Sequence, residues 1–297
     1  MLSKSLFIVA VAAAQIFNIN TLQAQEDVKI TTIPVAKNIY MLSGKGGNIG
    51  LYTGEDGTFV IDDQFAPLTE KIMAAIKAAG GDTPRFLLNT HFHGDHTGGN
   101  ENIGNKGVTI VAHDNVRKRL VTGYSIEAFN MNVEPAKKVA LPTLTFSKDM
   151  HFHINNDSVR AIHVANAHTD GDSFVHFEKA NVVHAGDLFF NGFYPFIDAA
   201  HGGSLKGTIA GVDAILAITD SKSKIIPGHG ALADKAQLQA YRDMLDTAYS
   251  RLLKLKNQGV SVEDAIKQAP LADLEDPWGT VMFNSDRWIK VIYPAVF

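Results

Sequence analysis

The 297-residue sequence contains no cysteine. Disulfide bonds, thiolate metal ligands and a thiol nucleophile are therefore excluded, as is the acylated cysteine of a bacterial lipid anchor. Without disulfide bonds the folded chain depends on its hydrophobic core. A hydrophobic content of 45% in a chain of this length is ample for one.

The sequence also has no run of Lys and Arg, and its 27 basic residues are outnumbered by 31 acidic ones. Proteins that bind nucleic acids or anionic membranes need clustered positive charge. We therefore expect neither nucleic acid nor a membrane as a partner, and a small-molecule substrate instead.

Long apolar runs are absent apart from one at the N-terminus. There Lys4 precedes the apolar stretch 6–17, and the polar segment 18–25 that follows contains the small residue Ala24. The stretch is shorter than the ~20 residues that span a bilayer. Residues 1–24 thus have the pattern of a secretory signal peptide, the alternative being the frayed end of a cytosolic protein. We predict a periplasmic or secreted protein with one domain over residues 25–297.

The remainder alternates strand and helix patterns. Helical periodicity predicts helices over Pro67–Ala79, Asp114–Thr122, Gly203–Ile218, Leu238–Leu255 and Val262–Gln268. Short apolar runs predict strands over Ile49–Thr53, Thr58–Ile61, Phe86–Leu88, Val108–Ala112, Ser158–Val164, Phe174–Phe177, Val182–Ala185 and Lys224–Ile226. This order is typical of a mixed α/β architecture with helices covering the sheet faces.

A cluster of metal-ligand residue types, His91-Phe92-His93-Gly94-Asp95-His96, follows one of these strands. Imidazole and carboxylate are the nitrogen and oxygen donors that Zn²⁺ accepts. A single histidine is usually structural, but three histidines and one aspartate at this spacing are not. Four ligands cannot all bind one small ion and leave room for water, so the spacing favours two adjacent ions.

Three later segments have the same character. His168, Asp187 and His229 each lie in a turn directly after an apolar run. The ends of strands are where α/β sheets place their sites. Each residue alone is a weak indication of a site, whereas the ordered set is a strong one.

The ordered motif HxHxDH, then His, Asp and His, resembles that of the metallo-β-lactamase superfamily. The resemblance implies an α+β fold, a four-layer αββα sandwich. It also implies that His91, His93 and His168 bind one metal, and that Asp187 bridges it to a second. The second metal would be bound by Asp95, His96 and His229, with Asp62 supporting the site from behind the ligands.

The resemblance further implies an enzyme, a hydrolase with two Zn²⁺ per chain. Such a metal pair, roughly 3.5–4 Å apart, shares a hydroxide of lowered pKa that attacks a carbonyl of an ester, thioester, lactone or amide. Asp95 is the expected catalytic residue, which orients the nucleophile and handles protons. A mononuclear iron persulfide oxygenase, also found in this superfamily, is the alternative of a different class.

Two positions depart from the β-lactamases of the family. One subclass has Cys where this chain has Asp187 and Lys where it has Phe190, and another usually has Ser at the Asp187 position. An aspartate there resembles the hydroxyacyl-glutathione hydrolases. A dedicated β-lactamase therefore remains only an alternative to a general exported hydrolase.

The aromatic segment after Asp187 offers substrate contacts. Phe190, Phe193 and Tyr194 are predicted to form an apolar wall, the alternative being that they pack the core. The Gly-rich segment 43–48 is interpreted as a flap over the site or simply a turn. Tyr124 and His201 are weaker candidates for the pocket.

Overall fold

The computed structural model describes residues 28–296. The predicted signal peptide, residues 1–24, lies outside the described residues. In chain order the strands are β1 (Thr31–Ala36), β2 (Ile39–Ser43), β3 (Ile49–Tyr52), β4 (Thr58–Ile61), β5 (Pro84–Asn89), β6 (Thr109–His113), β7 (Tyr124–Ile126), β8 (Met131–Val133), β9 (Leu144–Phe146), β10 (Asp149–Ile154), β11 (Asp157–His163), β12 (Ser173–Phe177), β13 (Val182–His184) and β14 (Lys224–Ile226).

Five of the nine α-helices in the described residues follow the predicted periodic segments closely. The helices are α1 (Thr69–Ala78), α2 (Gly94–Thr97), α3 (Asn100–Gly104), α4 (Asp114–Thr122), α5 (Leu205–Ile218), α6 (Lys235–Asn257), α7 (Val262–Lys267), α8 (Glu275–Trp278) and α9 (Ser285–Ile292). Helix α6 begins where it does because Asp234 and Gln237 form a reciprocal capping box at its N-terminus. No described helix is long and apolar enough to span a bilayer.

Two mixed sheets form the centre of the fold. The first has the strand order β1-β2-β3-β4-β5-β6-β9 and the second the order β10-β11-β12-β13-β14. Strands β4, β5, β6 and β9 run parallel, as do β13 and β14. Strands β7 and β8 pair only with each other, as a separate hairpin.

Three hydrophobic clusters separate four layers. Adjacent side chains of a strand point to opposite faces, so Leu87 packs with Ile72 and Ile76 of α1, whereas Leu88 faces the second sheet. The cluster with Leu87 lies between the first sheet and α1, and the cluster with Leu88 fills the space between the two sheets. The remaining cluster packs the outer face of the second sheet against α5, α6 and α9. The predicted αββα sandwich is therefore confirmed.

The topology brings the ends of several strands to one edge. Strands β4 and β5 are parallel and end before Asp62 and His91, respectively. In the second sheet β13 and β14 are parallel and end before Asp187 and His229. Because β12 is antiparallel to both β11 and β13, the end of β11 lies at the same edge and leads to His168.

Candidate metal centre

The predicted ligand residues lie together in two adjacent groups. His91, His93, His168 and Asp187 form one group, and Asp95, His96 and His229 form the other. Within each group the potential ligand atoms lie within 4.8 Å of one another. The histidines of the first group are almost fully buried, whereas the side chain of Asp95 is 26% exposed and faces a cavity.

Hydrogen bonds on the far side of each imidazole fix where its lone pair points. His93 Nε2 donates to Asp198 Oδ2 at 3.0 Å, and His168 Nδ1 donates to the carbonyl oxygen of Phe196 at 2.8 Å. Both remaining nitrogens are therefore acceptors, and they face each other at 2.9 Å. Two lone pairs at this distance repel unless a cation lies beside them, as in the metal sites where imidazoles are oriented in this way.

His91 completes the first group by the same logic. The Thr90 hydroxyl donates to Asp62 and so accepts from His91 Nδ1, at 3.1 Å. This leaves the lone pair of His91 Nε2 buried without any hydrogen-bond partner. Orphaned buried polar atoms are rare in folded proteins, and coordination of a metal ion would satisfy this one.

The second group is assembled around His96. Its Nδ1 donates to Asp62 Oδ2 at 2.7 Å, which leaves Nε2 facing Asp187 Oδ1 at 3.1 Å and His229 Nε2 at 3.4 Å. Asp95 Oδ2 lies 3.3 Å from the same His229 nitrogen. Ligands about 2.1 Å from a tetrahedral zinc lie ~3.4 Å apart, so this spacing suits a small divalent ion.

Asp187 lies between the two groups. Its Oδ2 is 3.7 Å from His91 Nε2, 3.4 Å from His168 Nε2 and 3.4 Å from His229 Nε2. Its Oδ1, the atom nearest His96, has no hydrogen bond of its own. The carboxylate of Asp187 thus contacts histidines of both groups, which is the position that a bridging ligand requires.

Asp62 connects the two ends of the loop 91–96, which we call the ligand loop, because it bonds to Thr90 before the loop and to His96 at its end. Its carboxylate accepts from the Thr90 amide at 2.7 Å and the Thr90 hydroxyl at 2.8 Å, in addition to His96. The backbone of Asp62 has φ 62°, a left-handed conformation that is uncommon outside glycine and is maintained here by these bonds. Asp62 thus contacts His96 on the side of the ring that faces away from Asp187 and His229.

Two glycines allow the backbone to approach the ligands. A Cβ on Gly47 would lie 2.1 Å from His96 Cε1, and one on Gly228 would lie 2.1 Å from Asp187 Oδ1. Any side chain at either position would displace a ligand residue. Gly47 of the segment 43–48 and Gly228, which precedes His229, therefore serve the packing of the site.

The electrostatics differ between the two groups. Burial lowers the pKa of His168 to about 4 and that of His91 well below its usual value, so both rings are neutral. Burial also acts on His229, but the carboxylates of Asp187 and Asp95 outweigh it and raise its pKa to about 9. A metal ion would therefore bind His91 and His168 without displacing a proton, whereas at the second group it would compete with the protons that carboxylates stabilise on His96 and His229.

The residues thus fit a pair of metal ions by three criteria. The donor set is imidazole and carboxylate, the imidazole lone pairs converge, and a buried ligand nitrogen and carboxylate oxygen lack other partners. Asp95 remains ionised, because the charge of His96 and a hydrogen bond to His229 outweigh its burial and lower its pKa to about 2.

Asp198 is a functional residue that the sequence reasoning missed. Its buried Oδ2 accepts from His93 Nε2 and, at 2.7 Å, from His201 Nδ1. His201 is therefore placed behind the ligands, where it supports Asp198, and not in the cavity. Asp198 directly follows an apolar run, as Asp187 does, and this feature of the sequence could have identified it.

We expect Asp198→Asn to weaken metal binding about 10- to 100-fold, the usual effect of removing a carboxylate behind a ligand histidine. The asparagine oxygen still accepts the His201 amide that caps this turn, so the fold is retained. Metal affinity by competition with a chromogenic chelator measures the effect. The matched control is Asp220→Asn, an aspartate in a remote exposed turn, and equal affinities for the two variants would contradict the role of Asp198.

A cavity of about 230 Å³ opens above the ligands His93, Asp95, Asp187 and His229. Apart from these and the backbone of Gly94, its lining is apolar and consists of Phe65, Ile126, Phe129, Met131, Phe190, Phe196 and Met282. Within the described part of the chain, no Lys or Arg lines it.

The predicted aromatic wall is only partly located at this cavity. Phe190 lines it and stacks on His229 at 5.0 Å between ring centroids. Phe193 packs edge-on against Phe190 and is not among the lining residues. Tyr194 is a core residue: its ring stacks on Trp288 at 4.1 Å and its hydroxyl is bonded to Ser285.

The other two cavity candidates also have structural roles. The segment 43–48 is tied down at Asn48, whose amide groups bond to the carbonyls of Pro227, Gly228 and Gly230, so it forms the base of the site and not a free flap. Tyr124 is buried, and its hydroxyl donates to the Phe92 carbonyl at 3.0 Å, which fixes the ligand loop.

This fold and this convergence of imidazoles and carboxylates define a metal-binding protein of the hydrolase type. A family model described as "Metallo-beta-lactamase superfamily" matches residues 42–229, more than half of the chain. The chain belongs to the metallo-β-lactamase superfamily, as its motifs predicted.

Solved structures with the same fold share little sequence with this chain. A metallo-beta-lactamase from Pontibacter korlensis has a TM-score of 0.59 and 17% identity, over 73% of this chain and 99% of that one. DIM-1 metallo-beta-lactamase has a TM-score of 0.59 and 16% identity, over 75% of this chain and 100% of that one. The metallo-beta-lactamase FIM-1 from Pseudomonas aeruginosa, in its mono-zinc form, has a TM-score of 0.59 and 18% identity, over 75% of this chain and 97% of that one. Comparison with curated proteins gives no match.

Proposed function

We propose that the protein is an exported hydrolase with two zinc ions per chain, which cleaves an ester, thioester or lactone. The observation that carries the proposal is the orientation of the imidazoles. The far-side nitrogens of His91, His93 and His168 are all occupied by acceptors, so their free lone pairs converge beside Asp187.

Zinc ions at the two groups would supply a water of lowered pKa and a Lewis acid for the substrate oxygen. The chain's own residues orient the water, balance the charge and shield the reacting carbonyl. Asp95, ionised and exposed to the cavity, accepts a hydrogen bond from an attacking water and orients it. Asp187 offsets the positive charge of the pair, and the apolar cavity excludes bulk water from the reacting carbonyl.

A carbonyl substrate without an adjacent carboxylate is favoured over a β-lactam. Penicillins and cephalosporins carry a carboxylate close to the bond that is cleaved, and burying it without a partner is unfavourable. The apolar lining at Phe190, where part of the family has Lys, offers no such partner.

Export is proposed from residues 1–24 alone. Their apolar stretch and the small residue Ala24 have the pattern of a cleaved signal peptide. The intact mass of the protein, isolated from the cells that produce it, shows whether residues 1–24 have been removed. A mass that includes these residues would contradict the proposed export.

The deciding experiment combines metal analysis with a substrate panel. Elemental analysis of the purified protein is expected to give about two zinc per chain, and one iron would favour a persulfide oxygenase instead. Zinc-loaded protein is then assayed on chromogenic esters, thioesters, lactones, phosphodiesters and a cephalosporin. We expect neutral carbonyl substrates to be turned over and the cephalosporin to be hydrolysed far more slowly than they are. A preference for the cephalosporin would overturn the proposal.

A further inference from the structure

The cover of the metal cavity comes from a hairpin that belongs to neither sheet. Strands β7 and β8 pair only with each other, and the turn between them carries Phe129 next to Asn130, which has φ 49°. A lone two-stranded hairpin is marginally stable and needs anchoring. The bond from Tyr124 at its base to Phe92 attaches it directly to the ligand loop.

The hairpin presents apolar side chains that the core does not bury. Phe129 remains 38% exposed although its ring contacts Phe196 at 4.9 Å and Phe283 at 6.1 Å, and Met131 is 41% exposed. Both line the cavity above the ligands. Exposed apolar groups gathered around a concave site indicate binding of an apolar group.

The charge of the lining restricts what that group can be. The cavity has no Lys or Arg among its described lining residues, while Arg287 and Lys290 line a neighbouring groove that shares Ile126 and Phe196 with it. The volume of the cavity above the ligands, about 230 Å³, lies below the ~300–1,000 Å³ of sites for drug-sized ligands. The group that fits is therefore small, uncharged and apolar.

We propose that the hairpin Tyr124–Val133 is a specificity wall, which selects substrates with a short aliphatic or single-ring acyl group next to the reacting carbonyl. This inference rests on the proposed hydrolase function. Phe129 and Met131 are the specificity-determining residues, and Phe196 supports Phe129 from below.

The test uses two esters with the same leaving group, p-nitrophenyl butyrate and p-nitrophenyl hemisuccinate, and the zinc-loaded full chain. The acyl groups differ mainly in a terminal carboxylate. We expect kcat/KM to favour the butyrate by about 10- to 200-fold, the range that a hydrophobic pocket achieves for small changes in a substrate. The His93→Ala variant supplies the background rate.

Two variants locate this selectivity on the hairpin. Phe129→Ala is expected to lower kcat/KM for the butyrate about tenfold, and Met131→Lys to raise that for the hemisuccinate by a similar factor. Leu144→Lys is the control, since it places the same charge on an exposed apolar position of the remote strand β9. It should change neither value.

The outcomes separate the two proposals. Equal rates with both esters, or selectivity that the hairpin variants leave unchanged, would overturn the specificity wall while the hydrolase function stands. No turnover of either ester or of any carbonyl substrate of the panel above the His93→Ala background would overturn the hydrolase function, and with it this inference. Turnover of other panel substrates but of neither ester would overturn the specificity wall alone.

Discussion

Asp187→Asn is expected to reduce the metal content to one ion per chain or fewer and to lower turnover at least about 10³-fold. The reason is that Asp187 contacts histidines of both metal groups, and its carboxylate is the buried negative charge between them. Two dications close together require such a charge. A Lewis-acid contribution of ~4 kcal/mol lost with a metal corresponds to this fall in rate.

The side chain of asparagine occupies the same space, so the variant should fold. Its control is Asp157→Asn, another buried aspartate, which accepts the amides of Lys179 and Ala180 in a turn remote from the site. The control is expected to lose some stability and keep its metals and turnover. Elemental analysis and the ester assay provide both values. Two metals retained in Asp187→Asn would show that this residue does not bridge.

The architecture could largely be predicted from the sequence because its long elements have clear periodicity. The helix Asp114–Thr122 and the strand Lys224–Ile226 have the predicted bounds, and the strands predicted over Ile49–Thr53 and Thr58–Ile61 are present as β3 and β4. The order of the strands could not be predicted. Strands such as Thr58–Ile61 are buried along their whole length and show no alternation that would identify a face.

The chemistry of the site was also visible in the sequence, since every ligand-type residue follows an apolar run. The partition into two groups came from the family resemblance, because spacing alone cannot place His168 beside His93. Asp198 also follows an apolar run, but only its contact with His93 shows that it acts on one of these histidines.

The aromatic segment and the hairpin show where periodicity fails. Residues 189–196 have an irregular backbone, so the sequence could not separate Phe190, which lines the cavity, from Tyr194, which packs on Trp288. The strands of the hairpin have three residues each, too short for a pattern, and the turn between them lacks glycine. Its role depends on tertiary contacts alone.

His93→Ala is expected to lose at least one metal ion and nearly all turnover while the protein remains folded. The substitution removes the nitrogen that lies 2.9 Å from His168 Nε2, which leaves the first group with two histidines and Asp187. Asp198 retains its bond to His201 at 2.7 Å, so its buried carboxylate keeps a partner. The backbone carbonyl of residue 93 still accepts the Thr97 amide of α2.

The stability of the variant distinguishes loss of a ligand from loss of the fold. A metal present at 100 times its Kd stabilises a protein by about 2.7 kcal/mol, so chelation should lower the Tm of the wild type. In His93→Ala this shift should be smaller, because less metal binds, while the Tm of the two chelated proteins stays similar. His176→Ala, a half-buried histidine of β12 away from the site, should keep the full shift and full turnover. Two metals and full activity in His93→Ala would refute the ligand assignment, because no other histidine of the described chain replaces its lone pair beside His168 and Asp187.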